Sequence, residues 1–194
     1  MEIIKFNLDE LKNNLNGFSC YILGRSYDLE ENGAEKDLTK AVEYYRKGLE
    51  IGDSLCIYSL GISYKYGMED LLPVNEEIAN ILLADALPGI KRMIEDPNTP
   101  EVERIYAKFA TGAYYYYGLG GIEKDYNKAF SIIKECAEKG HIAAIYDLGK
   151  TFYYNGEGTE KNLELAEYYL NLACSQDYPR ALRLREERRN IKKK

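Results

Sequence analysis

The sequence has few of the residues around which catalytic and metal sites are built. It holds one histidine, four cysteines and no tryptophan in 194 residues. His141 follows Cys136 by five residues, a spacing at which two side chains do not share a helix face. The close pairs typical of zinc sites are missing among Cys20, Cys56, Cys136 and Cys174. We therefore predict no metal, no cofactor and no Cys–His nucleophile, and we interpret His141 as a helix-junction residue.

The sequence also lacks a long apolar run and an export signal. The first six residues include Glu2 and Lys5, and no stretch approaches the length of a membrane span. We therefore expect a cytoplasmic protein with no membrane partner. Cysteines in that compartment are usually thiols, so we expect all four to be reduced.

Motifs of enzyme chemistry are missing as well. The glycine-rich segment Gly118–Gly121 has no predicted strand before it and no Lys-Ser/Thr after it, as a phosphate-binding loop requires. Carboxylates are plentiful, but no spacing singles out a general acid–base pair. The sequence therefore predicts a protein that is not an enzyme, with a hydrolase as a lesser alternative.

The charge is acidic overall but unevenly distributed. The net charge is −6, which disfavours a nucleic-acid binder. Residues 180–194 nevertheless contain eight basic and two acidic side chains. We predict a solvated basic tail there, with contact to a nucleic acid or an acidic partner as the alternative.

The sequence does contain internal repeats. Four glycines spaced 37, 51 and 37 residues apart are each followed three residues later by an aromatic residue: Gly24, Gly61, Gly112 and Gly149. A glycine inside a helix costs about 1 kcal/mol relative to alanine, so four in register indicate close helix packing. An alanine follows each glycine by 17 or 18 residues, and a capping residue precedes each alanine by four: Asp37, Asn75, Asp125 and Asn162. The pattern predicts pairs of antiparallel helices.

The longer interval indicates an insertion at about residues 88–100. Pro88 is expected to end or kink its helix, Ile90–Glu95 to add a short helical turn, and Thr99 and Pro100 to serve as N-cap and first helical residue. The insertion is either a functional loop or a tolerated surface segment. A capped helix after Asn7 and a last helix after Pro179 are predicted at the two ends.

The repeated motif resembles the Sel-1-like repeat family, relatives of the tetratricopeptide repeats. The matching positions include Leu23-Gly24, Leu60-Gly61, Leu148-Gly149, Gly118-x-Gly120, Gly156-x-Gly158, Lys40-Ala41, Lys128-Ala129, Glu50-x-Gly52 and Glu138-x-Gly140. The resemblance implies an all-α fold, an α/α superhelical solenoid of four two-helix repeats with terminal capping helices. We predict one repeat domain, residues 1–194, with a cap at 1–16, repeats at 17–53, 54–100, 101–140 and 141–177, and a capping helix with its tail at 178–194.

The family resemblance also implies an adaptor or scaffold that binds a protein or peptide on its concave face. An immunity or regulatory protein bound to one cognate partner is the alternative. In related solenoids the first helices line that face. The candidate partner-binding residues, here named the first-helix strip, are Tyr21, Arg25, Asp28, Tyr58, Ile62, Lys65, Phe109, Ala113, Tyr116, Tyr146, Lys150 and Tyr153. The first aromatic of each triplet is equally compatible with a place in the core.

Overall fold

The fold is built from α-helices throughout the part of the chain that the computed structural model describes, residues 2–191. The predicted all-α fold is confirmed, and no β-strand occurs within this range. The last three residues of the predicted basic tail lie outside it. None of the described helices combines the length and the apolar character needed to cross a membrane.

The chain divides into two compact units, one of residues 5–124 and one of residues 2–4 with 125–191. The helices of the first unit are α1 (Leu8–Asn13), α2 (Gly17–Leu29), α3 (Leu38–Ile51), α4 (Ser54–Tyr66), α5 (Glu76–Glu95) and α6 (Glu101–Tyr117). The helices of the second unit are α7 (Tyr126–Glu138), α8 (Ile142–Asp147), α9 (Leu163–Ser175) and α10 (Pro179–Ile191). A π-helical stretch, Leu148–Tyr153, continues α8. The two helices of the third repeat therefore belong to different units.

The second helix of each repeat begins at the predicted cap. The side-chain oxygens of Asp37, Asn75, Asp125 and Asn162 each accept a hydrogen bond from the backbone N–H three residues on, at 2.9–3.0 Å. The N–H groups of the first helical turn have no partner within the helix, and these side chains satisfy one of them. Local sequence therefore fixes where α3, α5, α7 and α9 start.

The repeated glycines lie where helices approach closely. A Cβ at Gly24 would overlap the buried ring of Tyr45 on α3. At Gly61 it would lie 2.8 Å from Cγ of Leu83 on α5, and at Gly149 it would lie 2.8 Å from Cγ of Leu170 on α9. These distances leave no room for a side chain. The interpretation of the glycines as packing residues is confirmed at these three positions.

The insertion is mostly helical, which corrects part of the sequence-based expectation. The sequence predicts that Pro88 either ends or kinks its helix. The prediction of a helix end is wrong, because α5 continues through Pro88 to Glu95. Gly89 and Ile90 are buried, and a Cβ at Gly89 would overlap Oγ of Ser54 on α4. Burial of this face offsets the backbone hydrogen bond that a proline cannot make. Ile90–Glu95 is helical, as predicted, and forms the last turns of α5.

The start of α6 also differs from the prediction. Pro100 has ψ 141°, an extended conformation, and it precedes the helix, so it is not the first helical residue. Pro100 occupies the N-cap position, so the prediction of Thr99 as the N-cap is also wrong. The backbone oxygen of Thr99 instead accepts a hydrogen bond of 2.7 Å from Nη2 of Arg104.

Both predicted end helices are present. The Asn7 side chain accepts hydrogen bonds from the first turn of α1, as predicted. Pro179 is the first residue of α10, and Tyr178 and Ala181 are buried beside it. Residues 2–4 lie against the junction that precedes α8, where the Ile4 N–H donates to the Gly140 oxygen at 3.1 Å.

Candidate interaction surface

In the first unit, the first-helix strip comes from α2, α4 and α6. Tyr21 and Arg25 are buried, whereas the other seven positions are half-buried: Asp28, Tyr58, Ile62, Lys65, Phe109, Ala113 and Tyr116. Tyr21 therefore takes the alternative place that the sequence left open, in the core. Its ring lies among Phe18 and Tyr106, with centroids 5.8–6.2 Å away. Burial raises the pKa of the Tyr21 hydroxyl to about 12.

Arg25 is held in a buried ion pair with Glu31. Its Nη2 donates to Oε1 of Glu31 at 2.6 Å and its Nε donates to Oε2 at 3.2 Å, a two-bond geometry. The Arg25 guanidinium carbon also lies 5.8 Å from the ring centre of Tyr21 and 5.9 Å from that of Phe109. Three predicted members of the strip, Tyr21, Arg25 and Phe109, therefore lie together, and the Arg25 cation is held in place by Glu31.

Sequence reasoning missed Glu31, because it follows the end of α2 and shares no helical register with Arg25. Glu30 adopts left-handed backbone angles, φ 59° and ψ 33°, which turn the chain back toward α2. A non-glycine residue in that conformation has no clear sequence signal. The pair is therefore a product of a turn that local patterns do not reveal.

Asp28 lies beside this cluster in a partly desolvated position. The Tyr45 hydroxyl donates to its Oδ2 at 3.4 Å. Burial raises the pKa of the Asp28 carboxyl, and the positive charge of Arg25 opposes that shift. Burial likewise raises the pKa of the Tyr58 hydroxyl well above its ordinary value, and the Tyr58 ring packs 5.5 Å from that of Tyr114.

The most accessible surface beside the strip in this unit is an aromatic patch, defined here as the strip residues Lys65 and Tyr116 together with their chain neighbours Tyr66 and Tyr117. Tyr66 and Tyr117 are 56% and 49% exposed, and their ring centres are 6.3 Å apart. The Tyr116 and Tyr117 rings meet edge to face at 4.7 Å, and Lys65 Nζ lies 6.0 Å from the Tyr66 ring. Sequence reasoning missed Tyr66 and Tyr117, although each directly follows a strip residue at the end of its helix.

In the second unit, two of the three strip residues are buried. The Tyr146 ring packs 5.5 Å from that of Tyr178, and the Arg180 guanidinium carbon lies 4.8 Å from its centre. The Tyr153 ring stacks on that of Tyr169 at 5.6 Å. Lys150 is exposed, with Nζ 5.6 Å from the Tyr146 ring centre. Lys150 is therefore the strip residue that is accessible here.

His141 and the cysteines lie in structural positions. His141 is the N-cap of α8, and its Nδ1 accepts from the Ala144 N–H at 3.2 Å, as a helix-junction histidine does. All four cysteines are buried and free of disulfides. Burial raises the pKa of the Cys20 and Cys56 thiols, and the negative charge of Asp53 adds to both shifts. Within residues 2–191, no three His, Cys, Asp or Glu side chains lie close enough to hold a metal ion.

A family model of the Sel1 repeat matches four segments of the chain, residues 17–53, 54–84, 105–141 and 142–178. The gap at 85–104 contains the end of α5, the connecting segment and the first four residues of α6. No curated protein is matched by the sequence.

Solved structures that resemble the chain include the following two. One is c5321, a protective antigen present in uropathogenic Escherichia coli strains that displays an SLR fold, with 23% identity and a TM-score of 0.43. The other is a Sel1 repeat protein from Oxalobacter formigenes, with 24% identity and a TM-score of 0.39. The similarity covers 89% and 85% of this chain but only 34% and 60% of those proteins.

Proposed function

The chain belongs to the Sel1 repeat family, whose members are typically protein-interaction modules, and we propose that it is a non-enzymatic module that binds a protein or peptide partner through its first-helix strip. The observation that carries this proposal is the aromatic patch at the ends of α4 and α6. Tyr66 and Tyr117 expose about half of their surfaces beside the cation of Lys65. Exposed tyrosines that flank a positive charge are typical of the residues that anchor protein interfaces.

Buried and half-buried members of the strip connect the helices that carry the patch. Arg25, fixed by Glu31, packs against Phe109 on α6, while Tyr58 on α4 packs against Tyr114 on the same α6. These contacts link α2 and α4 to α6, the helix that carries Tyr116 and Tyr117. A rigid support lowers the entropy lost when a partner orders the exposed rings.

The proposal is tested by affinity capture from an extract of the organism that encodes the protein. The double variant Tyr66→Ala, Tyr117→Ala removes both exposed rings. We expect the amount of partner that it captures to fall at least about tenfold. The matched control is Tyr168→Ala, which removes a tyrosine that is 58% exposed on α9 and outside the strip. Circular dichroism and urea unfolding establish that all variants fold.

Equal capture by the wild type, the double variant and the control would exclude the patch as the binding surface. A Lys150→Glu variant then tests the accessible residue of the second unit by the same measurement. If neither surface has an effect, the accessible residues on and beside the first-helix strip are not the interaction site.

A further inference from the structure

A groove of about 630 Å³ runs between α9 and α10, apart from the first-helix strip. The two helices have 13 residues each and are joined by only three, so they are antiparallel. Part of the groove lining is apolar. Its floor consists of Leu170, Cys174 and Ala181, all of which are buried.

The other end of the groove leaves apolar surface uncovered. Leu163, at the start of α9, is 55% exposed, and Tyr154, which precedes α9, is 43% exposed. Both side chains line the groove, together with the half-buried Leu184 of α10. Contiguous exposed apolar surface inside a concave site is typical of a place where another molecule binds.

One wall of the groove is strongly basic. Arg185, Arg188 and Arg189 on α10 all line it, and their spacing places them on one face of the helix. Among the described residues, no carboxylate lies within salt-bridge distance of any of the three. The Arg188 guanidinium carbon lies 4.8 Å from the ring centre of Tyr154, so an aromatic face positions this cation. The facing wall contributes a single carboxylate to the lining, that of Glu167.

We propose that this groove binds an acidic amphipathic helix of a protein partner, an inference that rests on the proposed interaction function and gives it a second surface. An apolar channel between two antiparallel helices accepts a third helix whose large side chains recur every three or four residues. Leu163, Leu170 and Leu184 contact the apolar face of that helix. The three arginines bind carboxylates on its flank, because a guanidinium donates two parallel hydrogen bonds to a carboxylate.

The composition of the groove favours this occupant over a nucleic acid. A phosphate backbone has no apolar side chains to cover Leu163 and Leu184, and the protein as a whole carries a net charge of −6. An acidic helix satisfies the apolar floor and the basic wall at the same time. The two features therefore select the same ligand.

The test uses a fluorescein-labelled helical peptide of about 15 residues, with leucines at every third or fourth position and glutamates along one flank. Matched peptides carry glutamine or lysine in place of glutamate. Fluorescence anisotropy with the full chain should give the affinity order glutamate, glutamine, lysine. The affinity of the glutamate peptide should also fall as salt is raised.

Two variants locate the binding site. The double variant Arg185→Glu, Arg189→Glu should lower the affinity for the glutamate peptide at least about tenfold. The reason is that two cationic hydrogen-bond donors are replaced by carboxylates. Leu163→Asn, an exposed position, should weaken all three peptides. The control Lys91→Glu, Lys134→Glu makes the same charge change at exposed sites outside the groove and should leave binding unchanged.

Several results would overturn the proposal: no binding of the glutamate peptide at millimolar concentration, no preference for it over the lysine peptide, or no effect of the arginine variant. Sedimentation showing a dimer that the arginine variant dissociates would identify a second copy as the occupant instead. Tighter binding of a single-stranded oligonucleotide than of the peptide would assign the groove to nucleic acid. Capture that is lost in the Tyr66, Tyr117 variant but kept in the arginine variant would leave the aromatic patch as the interaction site and exclude the groove.

Discussion

The first unit contains buried charged side chains. The clearest case is the ion pair between Arg25 and Glu31. Both side chains are buried, and Oε1 of Glu31 lies 2.6 Å from Nη2 of Arg25. Glu31→Gln should lower the free energy of unfolding by about 3 kcal/mol, because it leaves a buried cation without its counter-charge. Urea unfolding followed by circular dichroism measures this loss.

Two controls separate the buried charge from general sensitivity. Lys36 and Glu69 form an exposed pair at 2.9 Å, and Glu69→Gln should change stability by less than about 1 kcal/mol. The double variant Arg25→Met, Glu31→Leu, which removes both charges, should be more stable than Glu31→Gln alone. Equal losses from the buried and the exposed glutamine variants would contradict the explanation.

Asp28 should make stability depend on pH in the direction opposite to the usual carboxylate. Its folded-state pKa is raised by burial, so the folded protein binds this proton more tightly than the unfolded chain does. The stabilisation is full below the unfolded pKa and is lost as pH rises through the folded pKa. Asp28→Asn should therefore raise the free energy of unfolding at pH 7, and its advantage over the wild type should shrink on acidification.

This difference is measured by urea unfolding of both proteins between pH 3 and pH 7. The difference between the two proteins is informative because other carboxyls also titrate. Asp37, for example, has a lowered pKa because it accepts the backbone hydrogen bond of Lys40 and pairs with its side chain. A constant difference across the range would show that Asp28 is ionised equally easily in both states.

The thiols should react slowly in the native protein. All four cysteines are buried, and burial raises the pKa of Cys20 and Cys56, which lowers the thiolate fraction that reacts. Titration with a chromogenic disulfide reagent should modify fewer than one thiol per chain within minutes and all four after unfolding in guanidinium. A native mass lower by two protons would instead reveal a disulfide.

At the scale of the helix, the repeated glycines set how closely two helices pack. A Cβ at Gly149 would lie 2.9 Å from the backbone oxygen of Ala166 and 3.0 Å from the nitrogen of Leu170. Backbone atoms do not rotate away, so Gly149→Ala should cost about 1–3 kcal/mol even though alanine favours a helix by about 1 kcal/mol. Thermal and urea unfolding measure the change. Asn80→Ala, on the exposed face of α5, is the control and should be neutral or slightly stabilising.

The sequence predicts the starts of the four second helices but not the path of α5 beyond Pro88. Asp37, Asn75, Asp125 and Asn162 cap helices through bonds to residues three positions away, so a local pattern contains the whole interaction. The path of α5 beyond Pro88 depends instead on packing between Gly89 and Ser54, residues that lie far apart in the chain. A local rule for proline does not include that contact. The π-helical stretch after α8 is a second feature without a local signal.

Surfaces are harder to predict than elements for a related reason. Helical spacing places Tyr21, Tyr116 and Tyr146 on corresponding faces, but only the neighbouring helices decide which of them is covered. The arginines of α10 show the same limit. The sequence presents them as part of a solvated basic segment, whereas three of them line an apolar groove.

At the scale of the whole molecule, the N-terminal residues belong to the same compact unit as residues 125–191. The Ile4 N–H donates to the Gly140 oxygen, and a Cβ at Gly140 would overlap the Glu2 oxygen. Deleting residues 2–4 should lower the stability of this unit by about 2 kcal/mol, since a backbone hydrogen bond and two half-buried isoleucines are removed. Hydrogen exchange should accelerate at residues 136–146.

The control for this deletion is Glu2→Ala, which keeps the backbone and changes only an exposed side chain. Its exchange rates should match those of the wild type. If the deletion leaves exchange at residues 136–146 unchanged, the N-terminal residues do not stabilise the α7–α8 junction.

The hydrogen bond between Ile4 and Gly140 also has a consequence during synthesis on the ribosome. Ile4 is made 136 residues before its partner, an interval on the order of ten seconds at ordinary elongation rates. All of residues 5–124 are translated within that interval, so their unit is complete before Gly140 exists. Residues 2–4 therefore reach their final positions only after residues 5–124 have been made, and a chaperone that binds nascent chains has that interval in which to hold them.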